Sequence, residues 1–277
     1  MSSSDLPTVG SRSTLDPELE VFFSKNPDLH LGWEGCFTAE RSHHTRVFGF
    51  HALPTSQQGP IQEVEFTAIR GPDGTIPIRI LYQKSGEEKR KSGDAAALIY
   101  FHGGGYTVGI VDEFENGLRI VAEESGVQVY AVEYRLAPEW RFPTQLDEYV
   151  AVAKWLHGEG GKARGVHMNK VLGGGNSAGG NMTAAVSLRL RDEGKKPLKA
   201  QILLYPEARL PLDMNAATEN NTGMYVSPGM QPIDYLKGVP PAANFTCGFD
   251  PLRDVGVEYG SKLKQAVLTL RGIILML

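Results

Sequence analysis

The rhythm of apolar and polar positions changes repeatedly between residues 60 and 266, and the changes predict strands and helices in turn. Segments 61–70 and 76–83 alternate apolar with polar side chains, the period of a half-buried strand. Gly71-Pro72-Asp73-Gly74 between them supplies turn chemistry, so an antiparallel pair is expected. Short, nearly unbroken apolar runs follow at 96–101, 127–133, 170–172 and 199–205. A strand that is apolar at every position buries both faces, as in a parallel sheet covered by helices on each side. Between these runs, segments 113–124, 145–157 and 177–193 read as helices. Segment 242–249 reads as a further strand, and a helix opening near Asp254 runs to Ala266. At the amino end, Leu19, Val21, Phe22 and Phe23 give a helix over 16–25 an apolar face. The alternation predicts an α/β fold with a mainly parallel central sheet and helices on both faces. No internal repeat, low-complexity tract or linker interrupts it.

Two glycine-rich turns follow two of the predicted buried strands. After Val171-Leu172, Gly175-Asn176-Ser177-Ala178-Gly179 places a serine in a Gly-x-Ser-x-Gly frame where a strand turns into a helix. Such an elbow holds the serine in a strained backbone conformation and lifts its hydroxyl out of the sheet, while the glycines let neighbouring chain approach. A loose turn in a Gly-rich chain is the competing reading of that pattern alone. The second turn, His102-Gly103-Gly104-Gly105-Tyr106, leaves backbone amides uncovered and able to converge on one point. In acyl transfer that point is the oxyanion of a tetrahedral intermediate, with the amide of Ala178 as a further donor. A phosphate-cradling loop is the alternative, disfavoured because neither a Lys-Ser/Thr pair nor a Gly-x-Gly-x-x-Gly spacing is present. His102 precedes the serine and reads as a brace for its own loop.

Together with Tyr134-Arg135-Leu136-Ala137-Pro138-Glu139, Phe142-Pro143 and Asp250-Pro251-Leu252-Arg253-Asp254, these motifs resemble the hormone-sensitive-lipase-like branch of the α/β-hydrolase family over residues 60 to 265. The resemblance implies an α/β-hydrolase fold with a small amino-terminal helical cap and a carboxylic ester hydrolase activity on small or short-chain esters. It implies Ser177 as nucleophile, Asp250 as the acid that orients the base, and Gly103, Gly104, Gly105 and Ala178 as the oxyanion hole. Neither metal nor organic cofactor is called for. The domain plan it suggests is a disordered tail over 1–14 and one domain over 15–277, with cap helices in 15–55 and a shortened cap segment at 207–226. Asp254 reads as an acidic residue in the first turn of a helix, and Arg135 as half of a structural ion pair that props the oxyanion loop.

Three departures qualify that picture. The family usually has aspartate where this chain has Asn176. The segment between Pro206 and Ser227 is short, with Asn215, Asn220, Asn221 and Thr222 in place of an aromatic lid helix. Above all, the hydrolase order is Ser, then Asp, then His, and the seven histidines, at 30, 43, 44, 51, 102, 157 and 167, all precede Ser177. His157 and His167 are expected at the surface and away from the serine, so no catalytic histidine is identified. An internally shortened and carboxyl-terminally altered form, missing its last strand and exposing a sheet edge, is one expectation. Loss of the base costs on the order of 10⁶ in turnover, so activity is expected to be impaired. The alternative is a catalytically dead small-ligand-binding protein on the same fold, as in the gibberellin receptor, which resembles this family and lacks the base.

Composition narrows the remaining classes. A chain of 277 residues, 41% hydrophobic, is long enough for one large α/β core. A net charge of −4 gives no basic field, which argues against nucleic acid and against an electrostatic membrane anchor. Small soluble ligands therefore remain the expected partners, and the resemblance makes that partner a small-molecule ester substrate or ligand. Cys36 and Cys247 are too few for a disulfide framework and are expected as buried thiols. With no apolar stretch near Met1 to Pro17 and no run long enough to span a membrane, a cytoplasmic location is expected.

Overall fold

The computed structural model describes residues 14–27, 36–209, 223–266 and 273–275. The expected tail over 1–14 falls almost wholly outside the described residues, as do most of the shortened segment at 207–226 and the stretch from 267 to 272.

Among the described residues eight strands form one sheet: β1 (Glu63–Gly71), β2 (Gly74–Tyr82), β3 (Ala95–Phe101), β4 (Gln128–Val132), β5 (Val166–Asn176), β6 (Gln201–Leu204), β7 (Ala242–Thr246) and β8 (Ile273–Leu275). Their order is β1-β2-β4-β3-β5-β6-β7-β8. β1 and β2 form the expected hairpin, in register from Glu63 opposite Tyr82 to Gly71 opposite Gly74. β2 joins β4 antiparallel, and every pair from β4 through β8 is parallel.

The helices are α1 (Pro17–Lys25), α2 (Phe37–Phe48), α3 (Glu87–Lys91), α4 (Val111–Ser125), α5 (Thr144–His157), α6 (Glu159–Lys162), α7 (Ala178–Asp192), α8 (Gly223–Val226) and α9 (Arg253–Ala266). β3 shows why the central runs are apolar throughout. Leu98 and Tyr100 point to one face, where they pack with Val111, Leu118 and Ala122 of α4. Ala97, Ile99 and Phe101 point to the other, against Tyr149 and Val152 of α5 and Met182 and Ala185 of α7. A third apolar cluster joins α7 to α9 through Leu188, Leu203, Tyr259 and Leu263.

Several expectations change. β5 starts at Val166 rather than 170, because Val166 pairs with Ala95 across a register shift that the polar stretch His167 to Lys170 disguises. β7 ends at Thr246 rather than 249, where the chain enters the turn that carries Asp250. The last strand is not lost: β8 pairs with β7, placing Ile273 opposite Asn244. Both cysteines are exposed rather than buried, since Cys36 stands before the first turn of α2 and Cys247 in the turn after β7. His157 and His167 are half-buried rather than surface residues.

Candidate functional site

β3 leads to β4 on one side and is flanked by β5 on the other, so the strand order reverses between β3 and β5. Ligands of open α/β sheets bind at the carboxyl ends of strands beside such a reversal. The ends of β3, β5 and β7 there carry the triple-glycine turn, Ser177 and the Asp250 turn.

Ser177 adopts φ 51° and ψ −119°, a conformation that L residues seldom enter. The strain is held from both sides. The Ser177 amide donates to Leu204 O at 2.9 Å, and the Ser177 carbonyl accepts from Asn181 N at 3.0 Å, starting α7. Glycine at the flanking positions is a steric requirement: a Cβ on Gly179 would stand 1.8 Å from Phe101 O, and one on Gly175 would stand 2.4 Å from the same oxygen.

The triple-glycine turn is braced by buried groups. Asn176 Oδ1 accepts from Gly103 N at 2.8 Å and from the Tyr100 hydroxyl at 2.7 Å. This interaction corrects the expected donor set, because the Gly103 amide is occupied. Gly104 and Gly105 have φ of 115° and 56°, and Tyr106 follows at 64°. Their carbonyls are used, Gly104 O by Thr107 N and Val108 N and Tyr106 O by Ala137 N, while among the described residues the amides of Gly104 and Gly105 make no backbone bond. Ala178 opens α7, where an amide has no partner one turn back. The Tyr106 hydroxyl accepts from Asn181 Nδ2 at 2.7 Å and also bonds Glu207, whose carboxyl is raised by burial.

His102 is a brace, as its sequence position suggests. Its Nδ1 lies 2.7 Å from Gly103 O, and its ring stacks on Tyr134 with centroids 4.3 Å apart. Burial lowers its pKa to about 4, so the imidazole is neutral near neutrality. Arg135 forms an ion pair with the buried Glu148, and its amide donates to Glu148 Oε2 at 2.9 Å. Arg135 Nη2 also donates to Asp73 O at 2.9 Å, so the structural pair is observed and its bonds run to the β1–β2 turn and to Glu148.

Asp250 closes the site. Its Oδ1 accepts from Leu252 N at 2.7 Å, fixing the turn before α9. Asp254 is in the first turn of α9, as expected, and bonds Arg253 Nε at 3.0 Å.

Ser177, Asp250, Gly104 and Gly105 line one cavity of about 650 Å³, with Thr107, Val108, Asn176, Tyr205, Pro251 and Leu252. The amino-terminal helix α2 contributes Phe37, Glu40 and His44 to the same wall. His44 was not distinguished by the sequence. Its only signal is a glutamate one turn earlier, since Glu40 Oε1 lies 3.1 Å from His44 Nε2; Glu113 Oε2 is 3.9 Å from Nδ1. His157 lines a separate cavity at the end of α5, its pKa lowered to about 4 chiefly by burial and then by Lys196. His167 lies near the amino end of β5, opposite the serine. Among the described residues no group of His, Cys, Asp or Glu side chains could hold a metal ion, and no helix is long and apolar enough to cross a membrane.

The sequence matches the α/β-hydrolase fold family over residues 98–223. It is 30% identical to the carboxylic ester hydrolase LipN of Mycobacterium tuberculosis over 286 residues, 92% of this chain and 73% of that protein. Carboxylesterase NlhH of the same organism is 30% identical over 94% of this chain and 86% of its own length. Among solved structures, the hyperthermophilic esterase from the archaeon Pyrobaculum calidifontis superimposes with a TM-score of 0.78 at 27% identity, covering 95% of this chain and 90% of its own. A strained serine turn, a triple-glycine turn and an aspartate turn at one end of the sheet, in a chain with these relatives, make the protein a member of the hormone-sensitive-lipase-like carboxylesterase branch of the α/β-hydrolase family.

Proposed function

We propose that the chain hydrolyses small, short-chain carboxylic esters through Ser177, and that turnover is slow. The observation that carries this reading is the position of Ser177, strained and half-buried in the wall of a cavity it shares with Gly104, Gly105 and Asp250. Attack of Ser177 Oγ on the ester carbonyl breaks the O–H bond, with its proton passing to solvent water, forms the acyl–oxygen bond and places negative charge on the carbonyl oxygen. The amides of Gly104, Gly105 and Ala178 stabilise that charge. Collapse expels the alcohol, which must take up a proton, and water then hydrolyses the acyl-serine. A cavity of about 650 Å³ with Phe37, Val108, Pro251 and Leu252 in its walls suits a compact, uncharged ester.

The proton carrier limits the rate. No histidine follows Asp250 in the chain, and His44, the histidine in the cavity wall, has carboxylates beside both ring nitrogens. A serine hydroxyl without a base is a weak nucleophile. Oxyanion stabilisation and binding alone leave roughly 10³ to 10⁴ over the reaction in water. The same observation favours a second reading, a ligand-binding protein that keeps the pocket without turnover. Hydrolysis of a short-chain aryl ester by purified, folded protein and by its Ser177→Ala variant separates them. Slow turnover abolished by the substitution supports the hydrolase. Background rates in both folded proteins support the binding protein.

A further inference from the structure

Arg41 of α2 makes four hydrogen bonds to partners from two other parts of the chain. Its Nε donates to Thr107 O at 2.7 Å, at the end of the oxyanion loop. Its Nη2 donates to Ala137 O at 2.7 Å and to Glu139 Oε2 at 2.8 Å, and its Nη1 donates to Glu139 Oε1 at 2.9 Å. The two carbonyls already belong to one unit, because Ala137 N donates to Tyr106 O at 2.9 Å. Arg41 thus holds residues 107 and 137, residue 137 holds 106, and residues 104 to 106 all have positive φ. Such a backbone needs outside restraint. Gly103 is fixed from below by Asn176, and Arg41 supplies the restraint at the other end.

We propose that Arg41 is a positioning residue for the oxyanion loop, so that docking of the amino-terminal helix sets the geometry of the Gly104 and Gly105 amides. A guanidinium suits the task because its rigid fork of donors can satisfy two carbonyls and a carboxylate at once, which an ammonium cannot. Glu139 takes the remaining donors without contacting the loop, and the bonds to Thr107 O and Ala137 O hold the guanidinium without it. Its carboxyl is held down at about 2, first by the hydrogen bond from Arg41. The helix that carries Arg41 also lines the cavity through Phe37, Glu40 and His44, so a ligand pressing on α2 is coupled to the oxyanion amides through one side chain. The loop's role in acyl transfer rests on the hydrolase reading; the mechanical link does not.

Hydrogen–deuterium exchange of the full chain tests the link without substrate, so it remains decisive whether or not the protein turns over ester. In Arg41→Ala, exchange across 103–108 is expected to rise by about tenfold or more, together with 37–48, while the β3 and β5 cores stay protected. Arg41→Lys is expected to keep 37–48 protected through Glu139 and still leave 103–108 fast. Glu139→Gln is expected to leave 103–108 near the wild-type rate. Where Ser177-dependent turnover is measurable, kcat in Arg41→Ala is expected to fall by about tenfold or more with KM changed less than about threefold, because the amides are misplaced in the transition state. The proposal is overturned by Arg41→Ala protein in which 37–48 loosens but 103–108 keeps its protection, since Arg41 then only anchors the helix. It is equally overturned if Glu139→Gln alone reproduces the fast loop.

Discussion

Asn176 shows how one side chain settles a local structure that its motif leaves open. Its Oδ1 takes two buried donors, Gly103 N and the Tyr100 hydroxyl, and so ties the triple-glycine turn to the Ser177 turn. Asn176→Ala strands both donors, and leaving a buried donor unpaired costs about 1–3 kcal/mol. Urea unfolding is expected to show a loss of that order, with a smaller loss in Asn176→Asp, whose carboxylate still accepts both bonds. Equal losses in the two variants would show that side-chain shape, not the carbonyl oxygen, holds the turn. Ser177 and its glycines were legible in the sequence because steric need confines those positions to a few residue types. The use of Asn176 was not legible, since its partner amide lies 73 residues upstream and every residue but proline carries such an amide. Arg41 was hidden for the same reason: two of its partners are carbonyl oxygens, which no sequence pattern marks.

At the scale of elements, periodicity identified the sheet and its crossover helices, and failed where polar residues occupy a strand, as at His167 to Lys170 in β5. It gave no sign that α2 would be seated on acidic groups of α4. Glu113 of α4 is buried under α2, where Thr45 Oγ1 donates to it at 3.3 Å and His44, Asp112 and Glu133 lie around it. Burial, first, and the neighbouring carboxylates raise its pKa to about 7, although the bond from Thr45 opposes the shift. The consequence for stability has a definite sign. Below the ordinary glutamate range the group is protonated in both states and contributes nothing. As pH rises from about 4.5 to about 7 the unfolded chain loses this proton first, so the folded protein holds more protons and its stability falls. Above that window the loss is constant. Glu113→Gln keeps an acceptor for Thr45 and removes the titration, so it is expected to be more stable than wild type above pH 7 by about 1–3 kcal/mol. The difference should fade towards pH 4.5. Unfolding midpoints of the two proteins between pH 4.5 and 8 check this, and a constant offset across the range would place the effect in packing instead of ionisation.

The cavity is a property of the whole molecule, because its walls come from residues 36 to 44, 104 to 108, 176 to 177, 205 and 250 to 252. A compound that fills it touches elements from both halves of the chain and requires all of them folded. Binding to the folded state alone stabilises by RT ln(1 + [L]/Kd), about 2.7 kcal/mol at a hundredfold excess over Kd. For a domain of this size that corresponds to a rise in Tm of about 5–10 °C. Two uncharged analogues of a short-chain aryl ester separate cavity binding from serine chemistry. An amide isostere that is not cleaved uses only the walls, so it is expected to raise Tm equally in the wild type and in Ser177→Ala. A trifluoromethyl ketone can in addition accept the Ser177 hydroxyl as a covalent hemiketal. Its shift in the wild type is expected to exceed that in Ser177→Ala, and the excess measures the reactivity of the Ser177 hydroxyl. Equal shifts for the ketone in both proteins would mean that the pocket binds and the serine does not react, which is the binding-protein reading. No shift with either compound would remove this cavity as the ester site.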